Sequence, residues 1–233
     1  MTPLFLLPGL LCDSEVWKAQ VAALGGERRV VAAEFLDPDS MEGMARAVLS
    51  FAPSRFALAG HSMGGRVAME VARLAPERVE RLALLDTGAH PVRAHEQESR
   101  GALVDLARRE GMQALVERWL PPMVGEAGRQ DPALMARLTA MIHRGDPELF
   151  ARQQTALLTR PDAEAHLPAI RCPTALIVGR QDGWSPPEQH EAMAKLIPGA
   201  TLTVIEDCGH MAPMERPEAV TDALARWLER EIR

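Results

Sequence analysis

Gly60-His61-Ser62-Met63-Gly64-Gly65 lies between an apolar run at residues 55–59 and a segment of helical period at residues 63–74. Glycines on either side of a serine, at a strand-to-helix junction, mark a sharp turn in which a side chain would collide with neighbouring backbone. Such a turn lifts the serine hydroxyl above the sheet edge. It also sets Ser62 and the amide of Met63 in the positive field of a helix N-terminus, which suits an anionic tetrahedral intermediate. The motif therefore predicts a nucleophilic serine on an α/β framework.

The alternation continues outward from this turn. Residues 3–7, 29–35 and 79–85 read as further short strands, and residues 14–24 and 40–51 as helices capped by Ser14 and Ser40. Ala75-Pro76 ends the helix that follows Ser62. From residue 88 to residue 167 the rhythm stops. This stretch is polar, rich in arginine and methionine, and broken at Pro121-Pro122, Asp131-Pro132 and Asp146-Pro147, so three or four helices are expected there. After Pro173 the pattern returns with strands at 174–178 and 201–205 and helices at 187–196 and 217–232. The expected architecture is one mostly parallel sheet of about six strands flanked by helices. Residues 1–87 and 168–233 form the core, and residues 88–167 form a helical insertion. Long insertions in compact domains usually serve as lids or binding elements, so this one is expected to cap the site.

A serine hydroxyl needs a base to take its proton, most often histidine. Of the seven histidines, His90, His95, His143 and His166 fall in the insertion, His190 in a helix expected on the surface, and His61 on a turn that points its ring elsewhere. His210, in Asp207-Cys208-Gly209-His210, follows the end of a core strand on a loop that can bring its ring to the serine. The acid that fixes its tautomer should lie at the carboxyl end of another strand. Asp182, in Gly179-Arg180-Gln181-Asp182-Gly183-Trp184, fits this place; Asp86, after the strand at 79–85, is the rival, and Asp207 should face solvent or cap. For the oxyanion, the amide of Met63 needs a second donor from Pro8-Gly9-Leu10-Leu11, with Leu10 preferred and Leu11 the fallback. Leu11, Trp184, Trp119 and Met123 are candidates for the substrate pocket. Met135 and Met141 either join this apolar ceiling or pack a helical core, and Cys12 and Asp13 sit near the expected mouth.

The 233 residues carry a net charge of −6 with acids interleaved among the arginines, which argues against nucleic acid or an anionic membrane as partner. Cys12, Cys172 and Cys208 are odd in number and widely spaced, so neither a disulfide framework nor a zinc site is expected. The apolar start, interrupted by Pro8-Gly9, reads as a buried strand rather than a signal peptide. A cytoplasmic monomer or homodimer with no cofactor and no metal is expected.

Leu6-Leu7-Pro8-Gly9, Gly60-His61-Ser62-Met63-Gly64-Gly65, Gly179-Arg180-Gln181-Asp182 and Cys208-Gly209-His210-Met211-Ala212-Pro213-Met214-Glu215 together resemble the α/β-hydrolase superfamily, over the whole chain except the insertion. The order Ser62, Asp182, His210 is the order of its triad. Small bacterial carboxylesterases, enol-lactonases and acyl-carrier methyl-ester esterases are the most similar members. The resemblance implies an α/β-hydrolase fold that starts at the strand usually numbered third, with the insertion as a cap. Pro8-Gly9 stands where many members carry His-Gly, and a serine nucleophile argues against the dehalogenase and epoxide-hydrolase branches. The implied activity is hydrolysis of small or medium acyl esters through an acyl-serine. Lactone, thioester or carbon–carbon hydrolysis by the same triad, a lyase or cofactor-free oxygenase, and a non-catalytic binding protein are the alternatives.

Overall fold

In the computed structural model, which describes residues 1–26 and 28–231, every residue of β1 (Leu4–Leu7) and β3 (Phe56–His61) is buried. Strands apolar on both faces must be covered on both, which is the condition of a parallel sheet between helices. The sheet has six parallel strands in the order β2-β1-β3-β4-β5-β6, with β2 at Val30–Ala32, β4 at Val79–Leu85, β5 at Thr174–Gly179 and β6 at Thr201–Ile205. Helix α1 (Lys18–Leu24) packs on α10 (Pro217–Leu228), and α2 (Met41–Phe51) packs on α3 (Met63–Leu74), which also crosses β1, β3 and β4.

The strand order decides where a ligand can enter. The chain leaves β1 toward β2 on one side and returns past β1 to β3 on the other, so the loops after β1 and β3 diverge and leave a crevice between them. Two glycines let α3 close onto this point. A Cβ on Gly60 would overlap the carbonyl of Gly64, and one on Gly64 would overlap the carbonyl of Leu7.

The structure corrects several local expectations. The first helix begins as a 3-10 turn, Ser14–Trp17, and is capped by Asp13, whose carboxylate accepts the Glu15 N–H at 2.9 Å, not by Ser14. Strand β2 keeps only three of the seven expected residues. The last helix ends at Leu228, and Ile232, the expected terminus, lies outside the described residues. His190, on α8 (Pro187–Leu196), is fully buried rather than on the surface, and its Nε2 accepts the Thr87 N–H at 3.1 Å.

Between β4 and β5 lie α4 (Glu96–Trp119), α5 (Glu126–Arg129), α6 (Pro132–Ile142) and α7 (Pro147–Leu158). Each of the last two starts with an aspartate cap followed by proline: Asp131 accepts the Ala133 and Leu134 N–H groups, and Asp146 accepts that of Leu149. Helix α4 is kinked at Gly111, whose φ of +84° suits glycine.

Candidate active site

Ser62 sits at φ 54° and ψ −116°, a conformation that side chains rarely adopt, at the point where β3 turns into α3. Two bonds hold it there. Its N–H donates to the Leu85 carbonyl at 2.9 Å, and its carbonyl accepts the Thr87 hydroxyl at 2.7 Å.

The imidazole of His210 reaches Ser62 Oγ with Nε2 at 2.8 Å and Asp182 Oδ2 with Nδ1 at 2.8 Å. A carboxylate can only accept, so the proton sits on Nδ1 and the Nε2 lone pair faces the serine hydroxyl. The other oxygen of Asp182 accepts the N–H groups of Trp184 at 2.8 Å and Ser185 at 2.9 Å. Burial opposes ionisation of Asp182, but the neighbouring His210 and these N–H donors outweigh it and hold the carboxyl below its ordinary range.

The rival acid has another place. Asp86 is fully buried and accepts the Gly179 N–H at 2.9 Å, while the His210 Nδ1 is taken by Asp182. Burial first, and the charge of Asp182 second, push its carboxyl well above the ordinary range, which favours the protonated form. Its nearest histidine nitrogen is His61 Nε2, at 3.9 Å. That nitrogen donates to the His210 carbonyl at 2.7 Å, and burial, with the neighbouring His210, takes His61 down to about 3. His61 therefore stays uncharged and supports the backbone of His210. Asp207 is exposed.

Around the serine turn, Leu10 and Met63 have backbone N–H groups without a protein acceptor among the described residues. The N–H of Leu11 is already given to Gln153 Oε1 at 2.8 Å. Leu11 also fails as a pocket residue. It is buried, is not among the residues lining the cavity beside Ser62, and its Cδ2 packs beside Gly145. Gly9 presses against the serine turn, where a Cβ would meet Ser62 Cβ at 3.2 Å.

Ser62 and His210 open onto a cavity of about 220 Å³, with Trp119, Met123 and Trp184 among its walls. Cys12 also lines it, whereas Asp13 is bound by Arg144 and Met141 is buried away from it. Two groups with no expected role hold loops of the site, Glu215 that of His210 and Gln153 that of Leu10. Glu215, on the short helix α9 (Ala212–Glu215), accepts the N–H groups of Gly209, Met211 and Gly125, and Gln153 ties the loop after β1 to α7. Burial raises the Glu215 carboxyl while these donors lower it, and the net shift is upward. Among the described residues there is no cluster of three or more histidine, cysteine or carboxylate side chains fit to hold a metal, and no helix is long and apolar enough to cross a membrane.

Comparison with known proteins places this geometry. The model of the family described as the alpha/beta hydrolase family matches residues 4–223. A pimeloyl-[acyl-carrier protein] methyl ester esterase of Nitrosomonas europaea is 30% identical over 232 residues, spanning 92% of this chain and 91% of that protein. Among solved structures, a thermophilic esterase from Thermogutta terrifontis superposes with a TM-score of 0.88 at 35% identity, covering 98% of this chain and 89% of the other. The enol-lactonase from Burkholderia xenovorans LB400 gives a TM-score of 0.88 at 27% identity, covering 99% of this chain and 92% of the other.

Proposed function

The chain belongs to the α/β-hydrolase family and is an enzyme of the esterase type, and from that premise we propose that it cleaves carboxylic esters through an acyl-enzyme on Ser62. The observation that carries this reading is the pair of 2.8 Å bonds by which one imidazole joins Ser62 Oγ to the Asp182 carboxylate.

In this mechanism Ser62 Oγ attacks the ester carbonyl as His210 Nε2 takes the hydroxyl proton. The imidazolium so formed is held by Asp182. The N–H groups of Leu10 and Met63 receive the oxyanion, at a helix N-terminus whose dipole favours negative charge. His210 then returns the proton to the departing alcohol, and water, activated by the same imidazole, releases the acid and restores Ser62. Residues 88–167 act as the cap: Trp119 and Met123 close the cavity above the reacting carbon and limit the acyl chain to small or medium length.

The relatives named as a methyl ester esterase and an enol-lactonase differ in the bond they open, and both bonds are within reach of this chemistry. The test is labelling with a fluorophosphonate, followed by a panel of methyl, p-nitrophenyl and thio-esters and lactones. The expected result is one label on Ser62 and turnover of oxygen esters above the other classes. A folded protein that takes no label and turns over no oxygen ester would overturn the proposal.

A further inference from the structure

One wall of the cavity is strongly cationic. Arg66, Arg93 and Arg100 line it together with Ser62, and Arg160 stands behind them. The one carboxylate among the residues lining this wall, Glu96, is spent on the guanidiniums of Arg160 and Arg100 and on the backbone N–H of Arg93. Arg66 has no carboxylate partner among the described residues. Its only bonds are to the carbonyl and the ring nitrogen of His90, at 3.1 and 3.3 Å. A second donor there stands free: Trp119, 4% exposed and on the cavity wall, has an indole N–H with no acceptor among the described residues. A wall that offers donors and positive charge, with its single carboxylate already engaged, fits a ligand group that is anionic and accepts hydrogen bonds.

Its distance from the nucleophile is set by the helix. Arg66 follows Ser62 by four residues at the start of α3, a rise of roughly 6 Å. An anion on this wall would thus belong to the same molecule as the scissile carbonyl.

We propose that Arg66, Arg93 and Arg100 form a subsite for a carboxylate carried by the substrate, so that the preferred substrates are half-esters of short dicarboxylic acids and their analogues. This rests on the serine-esterase reading above and adds the substrate class. Arg66 keeps its charge at neutral pH, although burial and the positive charges of Arg160 and Arg100 bring it down to about 9. That crowding is relieved when an anion arrives, and the guanidinium fork can hold both carboxylate oxygens.

The experiment compares kcat/KM for the monomethyl and dimethyl esters of succinate, glutarate and adipate. The expected result is a preference of at least about tenfold for the half-ester, mainly in KM, which salt weakens. In Arg66→Met the ratio falls toward one, and in Arg66→Lys part of it returns. Arg93→Gln, at the exposed rim, lowers the ratio less and is a safer variant should Arg66→Met not fold. A binding arm is independent of turnover: glutarate and inorganic phosphate are titrated into Ser62→Ala by tryptophan fluorescence. Glutarate should bind, and Arg66→Met in that background should weaken it by tenfold or more. Ester turnover with equal rates for half-esters and diesters would overturn the subsite while leaving the esterase intact. Absent glutarate binding, or binding of phosphate in its place, would overturn the carboxylate assignment even if no ester is cleaved.

Discussion

The backbone N–H of His210 donates to the carbonyl of Met123 at 2.6 Å, so the loop that holds the imidazole is fastened to a segment of the cavity wall, the roof of the proposed cap. Glu215 makes the same connection a second time, with its carboxylate between Gly209 and Met211 on one side and Gly125 on the other. The packing leaves no slack, because a Cβ on Gly209 would overlap the Gly125 amide nitrogen. Motion of the roof therefore moves the base. Glu215→Gln places an amide NH₂ among these N–H donors and is expected to cost about 2 kcal/mol of stability through unpaired buried groups. It should also cost about tenfold or more in kcat through displacement of His210. Urea unfolding and steady-state kinetics check both; a drop in stability with kcat unchanged would confine Glu215 to folding.

Ser62→Ala is expected to abolish ester turnover and fluorophosphonate labelling while the fold stays intact. The substitution removes one oxygen from a half-buried turn whose backbone bonds, to Leu85 and Thr87, do not involve the side chain. Circular dichroism and the thermal midpoint should barely change. A residual rate above that of water can persist from the oxyanion donors.

The two buried aspartates should behave in opposite ways. Asp182→Asn is expected to lower kcat on the order of 10⁴-fold, because the amide no longer holds the tautomer with the proton on Nδ1. Asp86→Asn should cost far less, since the His210 Nδ1 is held by Asp182 and an amide oxygen can still accept the Gly179 N–H that Asp86 accepts. The pH dependence follows from the sign of each shift. Asp86 binds its proton more tightly folded than unfolded. Its contribution is therefore full below the unfolded pKa of about 3.9 and is lost as pH rises toward the raised folded value. Asn has no such loss, so the stability of Asp86→Asn relative to the parent should rise between pH 4 and pH 8. The depressed pKa of Asp182 contributes in the other sense: present above the unfolded pKa, and lost as pH falls through the folded one. Urea midpoints across pH 4 to 8 would show parallel curves for Asp86→Asn and the parent if Asp86 were ordinary.

Much of this arrangement is legible in the residues because it depends on local rules. Gly60 and Gly64 surround a serine where strand meets helix, and the six apolar runs correspond to the six strands of the sheet. What escapes the sequence depends on partners far along the chain. The sequence prefers the Leu10 amide to that of Leu11, but it does not show that Gln153, more than 140 residues away, accepts the Leu11 N–H. Glu215 stands in a quoted motif, yet the Gly125 N–H that its carboxylate accepts lies 90 residues earlier and meets it only in the folded chain. The burial of His190 reflects its bond to Thr87, where helical periodicity alone reads a surface. Arg66 looks like any polar helix residue until the segment before α4 and the first turn of α4 bring Arg93, Glu96 and Arg100 to the same cavity wall. The replacement of Ser14 by Asp13 as cap is a shift of one residue, the scale on which helix starts are least determined by pattern.

Substrate length gives the last prediction. The cavity holds about 220 Å³, and Trp119 and Met123 in its wall, the roof of the proposed cap, are 4% and 5% exposed, so this wall is packed rather than open. Trp119 stands edge-on to Phe150 at 5.6 Å and to Trp184 at 6.1 Å between ring centres, which braces it from α7 and from the loop after β5. To admit a long acyl chain the roof must lift. Lifting it breaks the His210–Met123 bond and the Glu215–Gly125 bond, so the length that binding gains is offset by loss of the base's position. Among p-nitrophenyl esters, kcat/KM should therefore hold between two and eight carbons and fall for sixteen, with kcat falling as well as KM rising. Trp119→Ala should extend the accepted length by opening the roof without moving Met123, and emulsified lipid should give no interfacial activation. Equal kcat/KM from two to sixteen carbons in the parent protein would mean that residues 88–167 do not limit the substrate.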